Sequence, residues 1–97
     1  MKVKDSTVNI EALHPKMKDR LTDIETVYTS FQTELVITSG KDGVHSQHSL
    51  HYEGKAVDLR TWNILDSVIQ ALKTKLGPEY DVILEKDHIH VEWDPEG

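Results

Sequence analysis

The chain contains no cysteine. That excludes a disulfide framework and any thiolate metal site, so a metal would have to be held by nitrogen and oxygen donors. No apolar run approaches the ~18 residues that a membrane-spanning helix needs, so no membrane insertion is expected. Met1 to Ile10 carries Lys2, Lys4 and Asp5 but no stretch of signal-peptide character, and synthesis in the cytoplasm without a secretory leader is the expectation. Positive charge is in deficit, with 11 Lys and Arg against 17 Asp and Glu and a formal net charge of -6. A chain of that sign repels a phosphate backbone, so no nucleic acid partner is expected. Internal repeats, low-complexity tracts and linkers are also missing. What is present is 97 residues, 37% hydrophobic and 29% charged. This is enough for one domain spanning 1–97 with a thin core, expected as a monomer.

Apolar spacing gives the elements. Met17, Leu21, Ile24, Tyr28 and Phe31 recur at intervals of four, three, four and three, which places one stripe along a helix that Pro15 can start. The run 34–38, ELVIT, is short, β-branched and apolar on both parities, as in a strand covered on both faces. Residues 40–55 hold three glycines and three histidines with few apolar side chains, a long loop of the kind that carries function in small domains. From Ala56 to Arg60, Val57 and Leu59 point one way and Ala56, Asp58 and Arg60 the other. Asn63 can cap a second helix with Leu65, Val68, Ile69, Leu72 and Leu76 as its stripe, stopped by Gly77 and Pro78. Two further strands are read at Tyr80 to Glu85 and His88 to Trp93. In the second, Ile89, Val91 and Trp93 alternate with His88, His90 and Glu92. The pattern predicts an α+β fold, a small two-layer domain with a mainly antiparallel sheet, two helices on one face and polar ligands, the candidates for a metal site, on the other.

The two striped strands place Asp58 and His90 on the polar side of the sheet if they are near neighbours. His51 arrives from the adjoining loop, seven residues before Asp58, with Gly54 between them to let the chain turn. Two imidazoles and one carboxylate would then converge, a ligand set that zinc accepts at about 2.0–2.2 Å while a fourth position stays open. Water at such an ion has its pKa brought toward ~7, and the ion also polarises carbonyls, so hydrolysis of a peptide or ester is the natural chemistry. The nearby carboxylates able to take the proton are Asp87 and Glu85. Taken alone, His88 and His90 fit a polar sheet face, Asp58 fits a loop-tying acceptor, and His45 and His48 fit a solvated loop. Their joint occurrence favours one ion held in common.

Residues 49–58, SLHYEGKAVD, followed by Asp87-His88-Ile89-His90, resemble the paired motifs of the zinc peptidases that cleave D-amino-acid bonds in bacterial cell-wall peptides. These are D-alanyl-D-alanine carboxypeptidases and dipeptidases and L-alanyl-D-glutamate endopeptidases. The same stretch resembles the amino-terminal signalling domain of hedgehog proteins, which shares the fold and a zinc site. The resemblance implies one zinc ion on His51, Asp58 and His90, with His88 beside it to assist substrate or transition state. It implies a general base at Asp87, three residues before the last zinc histidine, while the hedgehog pattern favours Glu85. In an unbroken strand Asp87 and His90 would face opposite ways, so the chain must turn around Lys86 and Asp87. Ser49, His45 and Tyr52 are expected to shape the loop and contact substrate.

Two departures stand out. Many wall peptidases have an arginine after the first sheet strand to clamp a substrate carboxylate, where this chain offers Lys41, which cannot form the same fork. The acidic calcium cluster of hedgehog domains is thinned to Asp42, with Glu53 nearby, so calcium is not carried over. The expected partners are peptidoglycan stem peptides or muropeptides, met at the cell wall after release or delivery by a phage or bacterial assembly. The rival expectation is a non-catalytic hedgehog-like or virion-associated binding module in which zinc only braces the loop.

Overall fold

A computed structural model describes residues 1–41, 53–61 and 66–95. The amino-terminal stripe forms two helices rather than one. His14 caps the first, its ring Nδ1 accepting from the Lys16 N–H at 3.1 Å, and Pro15 opens it, giving a single turn α1 at Pro15–Lys18. After a break at Asp19 and Arg20 the chain resumes as α2, Leu21–Ser30. Met17, Leu21, Ile24 and Tyr28 are buried as the spacing requires, whereas Phe31 has left the helix and is exposed. The second long helix, α3, runs Asp66–Leu76 and buries Val68, Ile69, Leu72 and Leu76. Gly77 ends it in a left-handed conformation, φ 87°, with its N–H donating to Lys73 O at 3.0 Å. Asn63 and Leu65 lie outside the described residues.

Among the described residues five strands form one mixed sheet: β1 at Lys2–Val3, β2 at Val36–Ser39, β3 at Ala56–Arg60, β4 at Tyr80–Leu84 and β5 at His88–Trp93. The order across the sheet is β1-β2-β3-β5-β4, with β1 parallel to β2 and the other three pairs antiparallel. The fold is thus α+β. Ile37, Val57, Leu59, Val82, Ile89 and Val91 face α2 and α3 in one shared core. Each such side chain contributes about 1.5–3 kcal/mol by leaving water. Val36, on the opposite parity from Ile37, is buried too, so β2 is covered on both faces. No helix is long and apolar enough to cross a membrane among the described residues.

The register is what positions polar side chains. Ile37 pairs with Leu59, but Ser39 pairs with Asp58, so Thr38 is an extra residue in β2. A bulge of this kind re-aims the side chains beyond it, and here it brings Ser39 across from Asp58 instead of leaving it on the core face.

Candidate functional site

The core-facing alternation of β3 and β5 fixes what lies on the other side. Because Leu59 pairs with Ile89 and Val57 with Val91, Asp58 must pair with His90, and Arg60 with His88. Directly opposed residues in an antiparallel pair share a face. The contact follows: His90 Nδ1 lies 3.0 Å from Asp58 Oδ1, and His88 Nε2 lies 3.6 Å from the same oxygen. The predicted convergence of Asp58 and His90 therefore exists in the folded chain.

The link between β4 and β5 is a tight reversal, closed by Glu85 N–H donating to His88 O at 2.8 Å. The chain does turn at Lys86 and Asp87, as expected, and the turn sorts the two carboxylates. Glu85 reaches inward, its Oε1 3.1 Å from His88 Nε2 and 3.9 Å from His90 Nδ1. Asp87 stays outside: its side chain is 84% exposed and meets His88 at the far nitrogen, Nδ1, at 2.7 Å. Thr61 Oγ1 donates to Asp87 O at 3.2 Å and ties the turn to the end of β3.

Both ring nitrogens of each histidine face a carboxylate, since His90 Nε2 also meets Glu92 Oε1 at 2.7 Å. An ionised carboxylate only accepts, so the form these contacts favour is the protonated ring, which has an N–H donor at each nitrogen. Burial pushes the His90 pKa down, but the hydrogen bonds and charges of Asp58 and Glu92 outweigh it and the net shift is upward. His88 behaves likewise, burial being overcome by Asp87, Asp58 and Glu85.

Asp58, Glu85 and His90 each offer a ligand atom, and these atoms lie within 4.8 Å of one another. One imidazole nitrogen and two carboxylate oxygens form a donor set that suits a borderline divalent ion such as zinc, so the residues fit that group. A second acidic trio, Asp81, Glu92 and Asp94, has equal spacing but only carboxylates. It lies toward the other end of β5.

Of the remaining expected site residues, His45, Ser49, His51 and Tyr52, together with Asp42 and His48, lie outside the described residues. Lys41 is exposed at the end of β2, where its N–H donates to Asn9 O at 2.9 Å. The loop's return is anchored at Gly54, whose carbonyl accepts from His14 N–H at 2.9 Å. Beside it the rings of His14 and Trp93 stack with centroids 5.0 Å apart. Three residues not among the expected site residues also stand on this face: Glu92, Arg60 and Ser39. The parity of β3 and β5 gives a signal for the first two, whereas Ser39 reaches that face only through the bulge. No known family's model matches the chain, and no curated protein matches it.

Proposed function

We propose that the chain is a zinc-dependent peptidase that hydrolyses peptide bonds in peptidoglycan stem peptides, of the D-Ala-D-Ala carboxypeptidase or L-Ala-D-Glu endopeptidase type. The observation that supports this reading is the meeting of Asp58 Oδ1 and His90 Nδ1 at 3.0 Å on the sheet face away from the helices, with a further carboxylate, Glu85 Oε1, 3.9 Å from the same nitrogen. Asp58 and His90 would hold the ion together with His51, which the motif resemblance supplies. A zinc ion bound there supplies Lewis acidity, polarising the scissile carbonyl and bringing the pKa of water toward ~7.

The chain's own groups then divide the proton work. Glu85 takes the proton of the attacking water at its carboxylate and returns it to the amine that leaves as the C–N bond breaks. Glu85 suits this better than Asp87, because its Oε1 is 3.9 Å from the His90 nitrogen that faces the cluster while Asp87 lies beyond His88. Asp87 holds His88 by Nδ1, and the His88 imidazolium faces the developing oxyanion. The acidic balance of the chain favours soluble muropeptides over intact, anionic wall.

The test is zinc titration of the full chain, with cleavage of synthetic stem peptides followed by mass spectrometry. One equivalent of zinc is expected. Asp58→Ala should abolish uptake, and Glu85→Gln should keep the metal but lose turnover by about 10²-fold or more. Asp87→Asn should lose far less. Zinc uptake with no cleavage of any stem peptide would leave the binding module braced by zinc. Full turnover in metal-free protein would refute the proposal.

A further inference from the structure

His90 has two ring nitrogens with different surroundings. Nδ1 faces the donor cluster, 3.0 Å from Asp58 Oδ1 and 3.9 Å from Glu85 Oε1, whereas Nε2 faces Glu92 Oε1 at 2.7 Å. His90 and Glu92 stand two apart on β5 and so project from one face of the sheet. Only 14% of the His90 side chain and 19% of the Glu92 side chain are exposed, so water competes little for the bond.

We propose that Glu92 is a positioning residue for the metal centre. Its carboxylate accepts the Nε2–H of His90 and fixes the tautomer in which Nδ1 presents its lone pair to zinc. This rests on the zinc-site reading above. A neutral imidazole keeps one proton, and a carboxylate 2.7 Å from Nε2 holds that proton at Nε2. The ring can then neither flip nor exchange its donor atom without breaking a partly buried, charge-assisted bond. The same bond raises the basicity of Nδ1, as outer-shell carboxylates do for ligating histidines. Glu92 in turn sits against negative neighbours, since Asp81 opposes it in the β4–β5 register and Asp94 completes the acidic trio. That arrangement provides an internal control, because Asp81 shares the local charge of Glu92, while the described hydrogen bonds to the His90 ring come from Asp58 and Glu92.

The test is competition between the full-length chain and a chromophoric zinc chelator at fixed pH and salt. Wild type, Glu92→Ala, Glu92→Gln and Asp81→Asn are compared, and long-range 1H–15N correlation of the histidine rings is recorded on zinc-loaded wild type. Glu92→Ala should weaken zinc binding about 10- to 100-fold. Glu92→Gln, which keeps an acceptor without the charge, should lose less, and Asp81→Asn should change affinity less than about threefold. The spectrum should show the metal on Nδ1 and the proton on Nε2 of His90. Unchanged affinity in Glu92→Ala, an equal loss in Asp81→Asn, or metal on Nε2 would each overturn the proposal. Should Glu92→Ala fail to fold, Glu92→Gln carries the measurement. Wild type that takes up no zinc would sink the site reading itself, a result distinct from wild type and Glu92→Ala binding alike.

Discussion

Replacing Gly54 by alanine should be among the more damaging single-atom changes in this chain, and the structure gives the size of the effect in two parts. Gly54 has φ +71°, a conformation that costs a residue with a Cβ about 1–2 kcal/mol. The added Cβ would also stand 2.8 Å from His14 N, 3.0 Å from Ala12 O and 3.2 Å from Leu13 Cα. All three are backbone atoms, so no side chain can rotate aside. Segment 12–14 must move, and the 2.9 Å bond from His14 N–H to Gly54 O, worth about 0.5–1.5 kcal/mol, weakens with it. Together these give about 3 kcal/mol, a large share of a small domain's stability. Gly77 provides the comparison: its φ is +87°, but a Cβ there meets nothing within 4 Å. Gly77→Ala therefore carries the strain alone, partly offset by the stiffer unfolded chain, for a loss of about 1 kcal/mol. Urea unfolding of metal-free protein separates the two. With a slope of about 1–1.5 kcal/mol/M, Gly54→Ala should lower the midpoint by roughly 2 M and Gly77→Ala by less than about 1 M. Equal losses in the two variants would refute the close-approach reasoning.

Other perturbations follow from the same contacts. His88 and His90 have folded pKa values raised above the ordinary 6.5, so their stabilisation is fully present below pH 6.5 and is lost as pH rises through the raised values. Metal-free protein should have a higher urea midpoint at pH 6 than at pH 9 on this account, and His90→Gln should flatten the difference; an equally steep profile in that variant would contradict it. Arg20 donates to Asp23 Oδ2 at 2.6 Å, to Lys75 O at 2.8 Å and to Leu76 O at 3.3 Å, binding α2 to the carbonyl end of α3. Arg20→Ala should cost about 1.5–3 kcal/mol in chemical denaturation, and Arg20→Lys should recover less than half, because an ammonium cannot span the fork. The Tyr28 hydroxyl is buried with no hydrogen-bond partner among the described residues, and burial pushes its pKa up. Tyr28→Phe should therefore raise stability by roughly 1 kcal/mol in the same assay, and a loss would show that the hydroxyl is satisfied.

The features legible in the sequence are those that a local period encodes. Strict alternation in Ala56–Arg60 and His88–Trp93 placed Asp58 and His90 on one face, and both strands have the bounds expected. The stripe from Met17 to Tyr28 identified the buried residues but not the break between α1 and α2. Positions three and four apart stay in phase across a single irregular turn, and Arg20, at that break, is bonded to α3 some fifty-five residues away. Strand β1 was illegible for a different reason. Two residues carry no period, and β1 exists through bonds such as Lys2 N–H to Leu35 O and Lys4 N–H to Ile37 O, at 3.0 and 2.8 Å. The Thr38 bulge likewise depends on the partner strand. In the site, the motif resemblance offered Asp87 and Glu85 as the general base, and the turn between β4 and β5 directs Glu85 inward and leaves Asp87 exposed, a consequence of three-dimensional closure that counting residues along a strand does not contain.

The charge of the site explains why these side chains can sit so close together. Four carboxylates, from Asp58, Glu85, Asp87 and Glu92, surround the two imidazoles of His88 and His90. Like charges at this spacing repel by an amount that grows as water is excluded, so the acids alone would drive β3, β5 and the turn between β4 and β5 apart. Protonated rings at His88 and His90 offset that repulsion, and the same carboxylates push both pKa values upward against the effect of burial. A divalent ion held by Asp58 and His90, as the proposed function requires, would supply positive charge from one centre, and any proton on His90 Nδ1 would have to leave for it to bind. On that proposal, protons and metal are alternative occupants of one electrostatic niche. Such a site should take up metal more tightly as pH rises, over the range in which the metal-free chain loses the stabilisation contributed by His88 and His90.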